Sequence, residues 1–216
     1  MATGRPRRSP RRRSRGKLIV IAAPSGAGKT TLVHALIERN PDFVFSVSYT
    51  TRPKRPNEEH GRDYFFVSEE AFRRLDSQGE FLESARVFDN YYGTSRSQVE
   101  SELAKGRNVV LEIDWQGARQ VRAAMPECRS IFILPPSVEA LEQRLRSRRT
   151  DSEDVIRRRL RDSLSDLSHW DEFDYVVIND NLERAIDELE GIAAGRYRRN
   201  RVGTGATRKK LAHLLV

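Results

Sequence analysis

Four short runs, at residues 18–21, 109–113, 130–134 and 175–178, are apolar, rich in β-branched side chains and lack polar alternation. A strand that is apolar on both faces must be covered on both faces, which is the situation of a parallel sheet buried between helices. The intervening segments supply those helices. Leu32, Ala35 and Leu36, then Val138, Leu141 and Leu145, then Val155, Ile156, Leu160, Leu164 and Leu167, then Leu182, Ala185, Ile186 and Leu189 recur at spacings that place them on one helical face. The alternation predicts an α/β domain with a parallel sheet and helices on both faces. A chain of 216 residues with 38% hydrophobic content fits one folding unit.

Two regions break the rhythm. Around residues 42–95, the alternating run at residues 43–48 and the aromatic run at residues 64–67 flank a charged, proline-rich turn, which predicts a small insertion with its own strands. Residues 144–159 are crowded with arginine around Thr150, Asp151 and Ser152, either of the last two suited to cap the helix that follows.

The net charge of +8 suggests nucleic-acid binding until it is located. Residues 1–17 hold seven Arg and one Lys without an acid, and residues 196–216 hold seven more basic side chains without an acid. The body between them carries 24 basic against 31 acidic side chains. Residues 1–16, almost wholly Arg, Ser, Pro and Gly, are expected to be a disordered basic tail, and residues 201–216 a basic C-terminal extension of a domain spanning 17–200. Weak nucleic-acid contact is conceivable for these ends alone. The single Cys128 forms no internal disulfide, and no apolar run approaches the roughly 20 residues of a membrane span. The expectation is a cytoplasmic protein without a membrane partner, with homo-oligomerisation left open.

The segment APSGAGKTT, residues 23–31, follows the first apolar run and precedes the first helical stripe. That strand, loop and helix context is what a phosphate loop requires. Gly26 and Gly28 allow backbone N–H groups to turn toward phosphate oxygens, the helix start adds its positive end, Lys29 reaches the β and γ phosphates, and the Thr30 hydroxyl helps hold Mg2+. Ala23 occupies the position where such loops most often begin with glycine. Ala23, Pro24, Ser25, Gly26, Ala27, Gly28, Lys29, Thr30 and Thr31 are therefore candidates for ATP binding, with Thr30 the metal ligand. No Asn-Lys-x-Asp guanine motif of the GTPases occurs, and the chain is short for an ATPase motor. A small kinase is left, with its acceptor site in the insertion.

There, SVSYTTRPKRPNE (residues 46–58) and GRDYFFV (residues 61–67) bring Ser48, Arg52, Arg55 and Tyr64 into one strand-turn-strand unit. Two guanidinium groups and two hydroxyls suit a second phosphate, although for the arginines in isolation a solvated turn paired with Glu58 and Glu59 is the favoured reading, since charge runs are usually surface. With FLE (81–83), NYYGT (90–94), LEIDWQG (111–117), LPPS (134–137) and VIND (177–180) added in order, the chain strongly resembles the guanylate kinase family, enzymes that move phosphate from ATP to GMP.

The resemblance implies a P-loop NTPase-type core, a small mixed α/β GMP-binding insertion and an Arg-rich helical lid. By motif it implies that Ser48, Arg52, Arg55, Tyr64 and Tyr92 hold the GMP phosphate, and that Glu83 and Thr94 read guanine. Guanine presents two N–H donors on one edge, and a fixed carboxylate accepts both; adenine lacks them and leaves the carboxylate unpaired. It further implies that Glu112 and Asp114 lie beside GMP and Mg2+, that Asn179 lies near the adenine of ATP, and that Arg144, Arg148 and Arg159, with Lys29 and Arg52, clamp the transferring group. The lid departs from the family's common pattern at Arg149, and the turn before Glu58 departs at Asn57, both where glycine is usual. Scaffold domains of related sequence bind phosphoproteins instead, but they typically lose the phosphate loop that is present here.

Overall fold

The computed structural model describes residues 15–87, 89–147, 153–196, 198–205 and 207. Along the chain run β1 (Leu18–Ala22), α1 (Lys29–Arg39), β2 (Phe43–Phe45), β3 (Tyr49–Thr50), β4 (Phe65–Phe66), α2 (Glu69–Ser77), β5 (Phe81–Val87) and β6 (Asn90–Ser95). They are followed by α3 (Arg96–Ala104), β7 (Asn108–Glu112), α4 (Trp115–Ala124), β8 (Arg129–Leu134), α5 (Val138–Ser147), α6 (Glu153–Leu167), β9 (Tyr175–Ile178) and α7 (Leu182–Ala194).

The larger sheet has five strands in the order β2-β7-β1-β8-β9, and every pairing in it is parallel. Strand β1 sits at its centre, with Leu18 opposite Val109 and Ile21 opposite Glu112. Its side chains divide by the two-residue period of a strand. Leu18, Val20 and Ala22 enter one apolar cluster with Val99, Leu103, Ala118 and Val121 of α3 and α4. Ile19 and Ile21 enter the other with Leu32, Leu36, Ile186 and Leu189 of α1 and α7. Both faces are covered, as the uninterrupted apolar runs require.

The second sheet has four strands in the order β4-β3-β6-β5 and mixes parallel with antiparallel pairing. Aromatic rings hold it together: Phe72 packs on Phe81 with centroids 4.7 Å apart, and Tyr49 stacks on Phe65 at 4.8 Å.

One expectation needs adjustment. The alternating run at residues 43–48 does not serve the insertion: β2 pairs with β7 at the edge of the large sheet. A half-buried edge strand alternates just as a strand of a small sheet does, so the pattern alone could not assign it. The start of the basic C-terminal extension packs on the core. Tyr175 bridges Arg201, Val202 N donates to Asp174 O at 3.0 Å, and buried Asn200 donates to Glu188 and to Val176 O. Residues 198–205 thus lie along the outer edge of β9.

The arginine-rich region forms the facing ends of α5 and α6, where Arg146 makes two hydrogen bonds to Glu153, at 2.6 and 2.8 Å, and a third to Glu142. The expected caps Asp151 and Ser152, together with Arg148 and Arg149, fall outside the described residues, as do residues 1–14 and 208–216. Among the described residues, no helix is long and apolar enough to cross a membrane.

Candidate active site

The phosphate loop forms where β1 ends and α1 begins. Gly26 and Gly28 have φ of 90° and 91°, left-handed conformations that L side chains adopt only under strain, so the turn is available to glycine. Gly28 caps α1 with no side-chain bond, so no capping side chain satisfies the first helical N–H groups. The loop is braced from behind. Asn179 Nδ2 donates to Ala27 O at 2.8 Å, and Arg144 Nη1 donates to the same carbonyl at 3.2 Å while its Nη2 reaches Asn179 O at 3.0 Å. Leu141 and Leu145 of α5 close against Gly26.

In front of the loop opens a cleft of about 930 Å³. Lys29 Nζ donates to Ile113 O at 2.8 Å, and Thr30 Oγ1 donates to Glu112 Oε1 at 2.5 Å, so the loop's cation and hydroxyl converge on the carboxyl end of β7. Ligands of open α/β sheets bind at this end of the strands. Asp114 follows at once, with Oδ1 accepting from Gly117 N at 2.7 Å to cap α4.

The opposite wall comes from the insertion. Ser48, Arg52, Arg55, Tyr64 and Tyr92 all line the cleft. Arg52 is held over the rings of Tyr64 and Phe66 at 5.4 and 5.7 Å, and its Nη2 donates to Glu58 Oε1 at 2.7 Å. Glu58 turns its second oxygen to the backbone N–H of Arg55 at 2.8 Å. Burial opposes the charge on Arg52, but the carboxylate outweighs it and the guanidinium is raised above its ordinary value. The Arg52 bond in turn holds Glu58 below the usual carboxylate range. Tyr64 is pushed up to about 12 by burial, reinforced by Glu112 and Tyr92, which keeps its hydroxyl a donor at neutral pH.

Also lining the cleft, Glu83 is only 3% exposed and accepts from Thr94 Oγ1 at 2.6 Å. Desolvation pushes its carboxyl up to about 7; the Thr94 bond works against that shift and the Asp114 charge adds to it. On the lid side, Val155, Arg158 and Arg159 of α6 face the cleft from one helical surface.

The guanylate kinase sequence pattern matches residues 15–194. The chain belongs to the guanylate kinase family. The guanylate kinase of Methylococcus capsulatus is 57% identical over 179 residues, 83% of this chain and 88% of the relative, and that of Hydrogenovibrio crunogenus is 56% identical over 177 residues, 82% and 86% respectively. The crystal structure of guanylate kinase from Anaplasma phagocytophilum superposes with a TM-score of 0.71 at 35% identity, covering 93% of this chain and 95% of that one. The guanylate kinase fold, with its parallel P-loop core, is therefore the fold of this chain.

Against this family background, the cleft brings together most of the residues singled out from sequence. Ser25, Lys29, Thr30, Ser48, Arg52, Arg55, Tyr64, Glu83, Tyr92, Glu112, Asp114 and Arg159 line it, and Thr94 is buried behind Glu83. Asn179 and Arg144 brace the loop and are not among the lining residues, and Arg148 is outside the described residues. His34, Glu38, Asn90 and Arg158 also line the cleft and were not singled out. For Arg158 a signal was available, since Val155, Arg158 and Arg159 fall at the i, i+3, i+4 spacing of one helix face.

Proposed function

We propose that the chain transfers the γ-phosphoryl group of ATP to GMP, giving ADP and GDP, and that it does so in this cleft. One observation carries the reading: the loop side chains Lys29 and Thr30 face, across one cavity, the arginine pair Arg52 and Arg55 and the buried carboxylate Glu83. A triphosphate on the loop and a guanine monophosphate on the insertion would thus meet with their phosphates between the two walls.

Each group has a task that its chemistry fits. Gly26, Gly28 and the start of α1 bind the triphosphate through backbone N–H groups, and Lys29 leaves Ile113 O for the β and γ oxygens. Arg144 and Asn179 both donate to the Ala27 carbonyl, so that acceptor is already satisfied when the anion binds. Ser48, Tyr64, Tyr92, Arg52 and Arg55 bind the acceptor phosphate, with Arg52 oriented in advance by Glu58. Glu83, tied to Thr94, accepts the N1–H and N2–H of guanine, and a base without those donors leaves a buried carboxylate unsatisfied.

Phosphoryl transfer needs positioning and charge neutralisation more than proton chemistry. Arg159, with Arg148 of the lid, supplies positive charge as the γ-phosphoryl group passes between two repelling anions. Oxygen donors at the loop's end suit Mg2+: Thr30 would hold it, with Glu112 one hydrogen bond away. When bound it supplies charge neutralisation between the β and γ phosphates.

The test is diphosphate formation from ATP and Mg2+ with GMP, AMP, CMP and UMP offered separately, beside Lys29→Ala. Turnover of GMP alone, lost in the variant, is the expected result. GMP binding without turnover would contradict the catalytic reading, and preference for another nucleotide would contradict the role given to Glu83.

A further inference from the structure

Gly117 occupies the first turn of α4, three residues after the Asp114 cap. Its backbone is not in the left-handed region that favours glycine, and alanine is the better residue inside a helix. Its surroundings, not its conformation, call for the missing side chain. A Cβ at this position would lie 2.4 Å from Glu83 Oε2 and 3.3 Å from Asp114 Oδ1. Carbon and oxygen do not approach to 2.4 Å without one of them moving. The Glu83 carboxylate therefore rests directly on the bare helical turn, in a space only glycine leaves open. Its other oxygen is fixed by the Thr94 hydroxyl at 2.6 Å, and the side chain is 3% exposed, so it has little room to swing aside.

We propose that Gly117 is a specificity-determining, positioning residue: by omitting a side chain it seats the Glu83 carboxylate against α4, between Thr94 and Asp114, in the orientation that meets the guanine edge. The inference rests on the reading of Glu83 as the acceptor for guanine N1–H and N2–H. A methyl group at 117 meets the far end of a side chain, not backbone, so the loss falls on base recognition more than on folding. Displacement by roughly 1 Å restores ordinary contact, and misplacement on that scale costs up to about 100-fold in rate.

Wild type, Gly117→Ala and Glu83→Gln are compared with GMP and with IMP, whose base keeps N1–H but lacks the exocyclic amine. For Gly117→Ala, kcat/KM for GMP is expected to fall about 10- to 100-fold, the preference for GMP over IMP to shrink about tenfold, and the KM for ATP to stay within twofold. An unchanged GMP preference, or an equal loss with both nucleotides, overturns the inference. If Glu83→Gln leaves GMP turnover intact, the underlying reading of Glu83 fails; if Glu83→Gln is crippled while Gly117→Ala is not, only the seat is wrong.

Thermal melts of Gly117→Ala, Glu83→Ala and the double variant guard against misfolding. The methyl is expected to lower the melting temperature when Glu83 is present and to leave it unchanged or raised in the Glu83→Ala background. A variant that folds only in the Glu83→Ala background supports the seat. Equal destabilisation in both backgrounds, or failure to fold in both, overturns it.

Discussion

The buried Glu83 carboxyl makes a sharp pH prediction. Burial raises the Glu83 carboxyl from 4.5 to about 7. Between those values the native protein holds a proton on Glu83 that the unfolded chain has released, so the native state binds more protons and stability falls as pH rises. The fall begins near 4.5 and levels off above about 7, and the shift corresponds to about 3 kcal/mol. Other carboxylates titrate over part of this range, so the observable is a difference. Glu83→Gln removes the proton and keeps the shape. In urea unfolding without nucleotide at pH 5, 6, 7 and 8, the stability of wild type relative to Glu83→Gln should decline with rising pH, by up to about 3 kcal/mol. GMP should cancel the slope, because its two donors favour the charged carboxylate, and its binding near pH 6.5 should release a proton detectable as buffer-dependent heat. A wild-type-minus-variant difference that is flat within about 0.5 kcal/mol would refute the argument that Glu83 is desolvated and awaits a donor.

Removing the loop cation in Lys29→Ala should lower kcat by on the order of 10²- to 10³-fold while GMP affinity, measured by calorimetry, changes less than about threefold. Arg52→Ala should raise the KM for GMP by about tenfold or more with the KM for ATP unchanged, and Arg52→Lys should not restore it, since the Glu58 bond and the stacking on Tyr64 and Phe66 need a planar guanidinium. Phe132 is 1% exposed and packs on Phe173 at 5.0 Å; Phe132→Ala should cost about 3 to 5 kcal/mol in urea unfolding while leaving the KM for GMP near wild type in the folded fraction.

Strands β1, β7, β8 and β9 were legible because each is covered on both faces, and burial of that kind writes a run of consecutive apolar residues. Strand β2 was legible as a strand but not as a member of the large sheet, because an edge position leaves the same alternation as a strand of the insertion. The docked segment around Asn200 escaped notice for a different reason. It is held by a buried polar pair, Asn200 with Glu188, and a search for apolar periodicity passes over polar residues. At the site, the loop from Gly26 to Thr30 could be read directly, because a local motif between a strand and a helix writes it. Roles that depend on contacts distant in sequence could not. The hydrogen bond of Asn179 to Ala27 O spans 152 positions, and the approach of Gly117 to Glu83 joins a helix to a strand of the other sheet.

In direct transfer the phosphoryl group passes between two nucleotides held in one cleft without reaching water. Labelling the γ-phosphorus of ATP and separating the products after a single turnover with GMP tests it most directly. Direct transfer places nearly all of the label at the β position of GDP, with little inorganic phosphate. Label released chiefly as inorganic phosphate while GMP stays unmodified would show that the cleft hydrolyses ATP and would contradict the account.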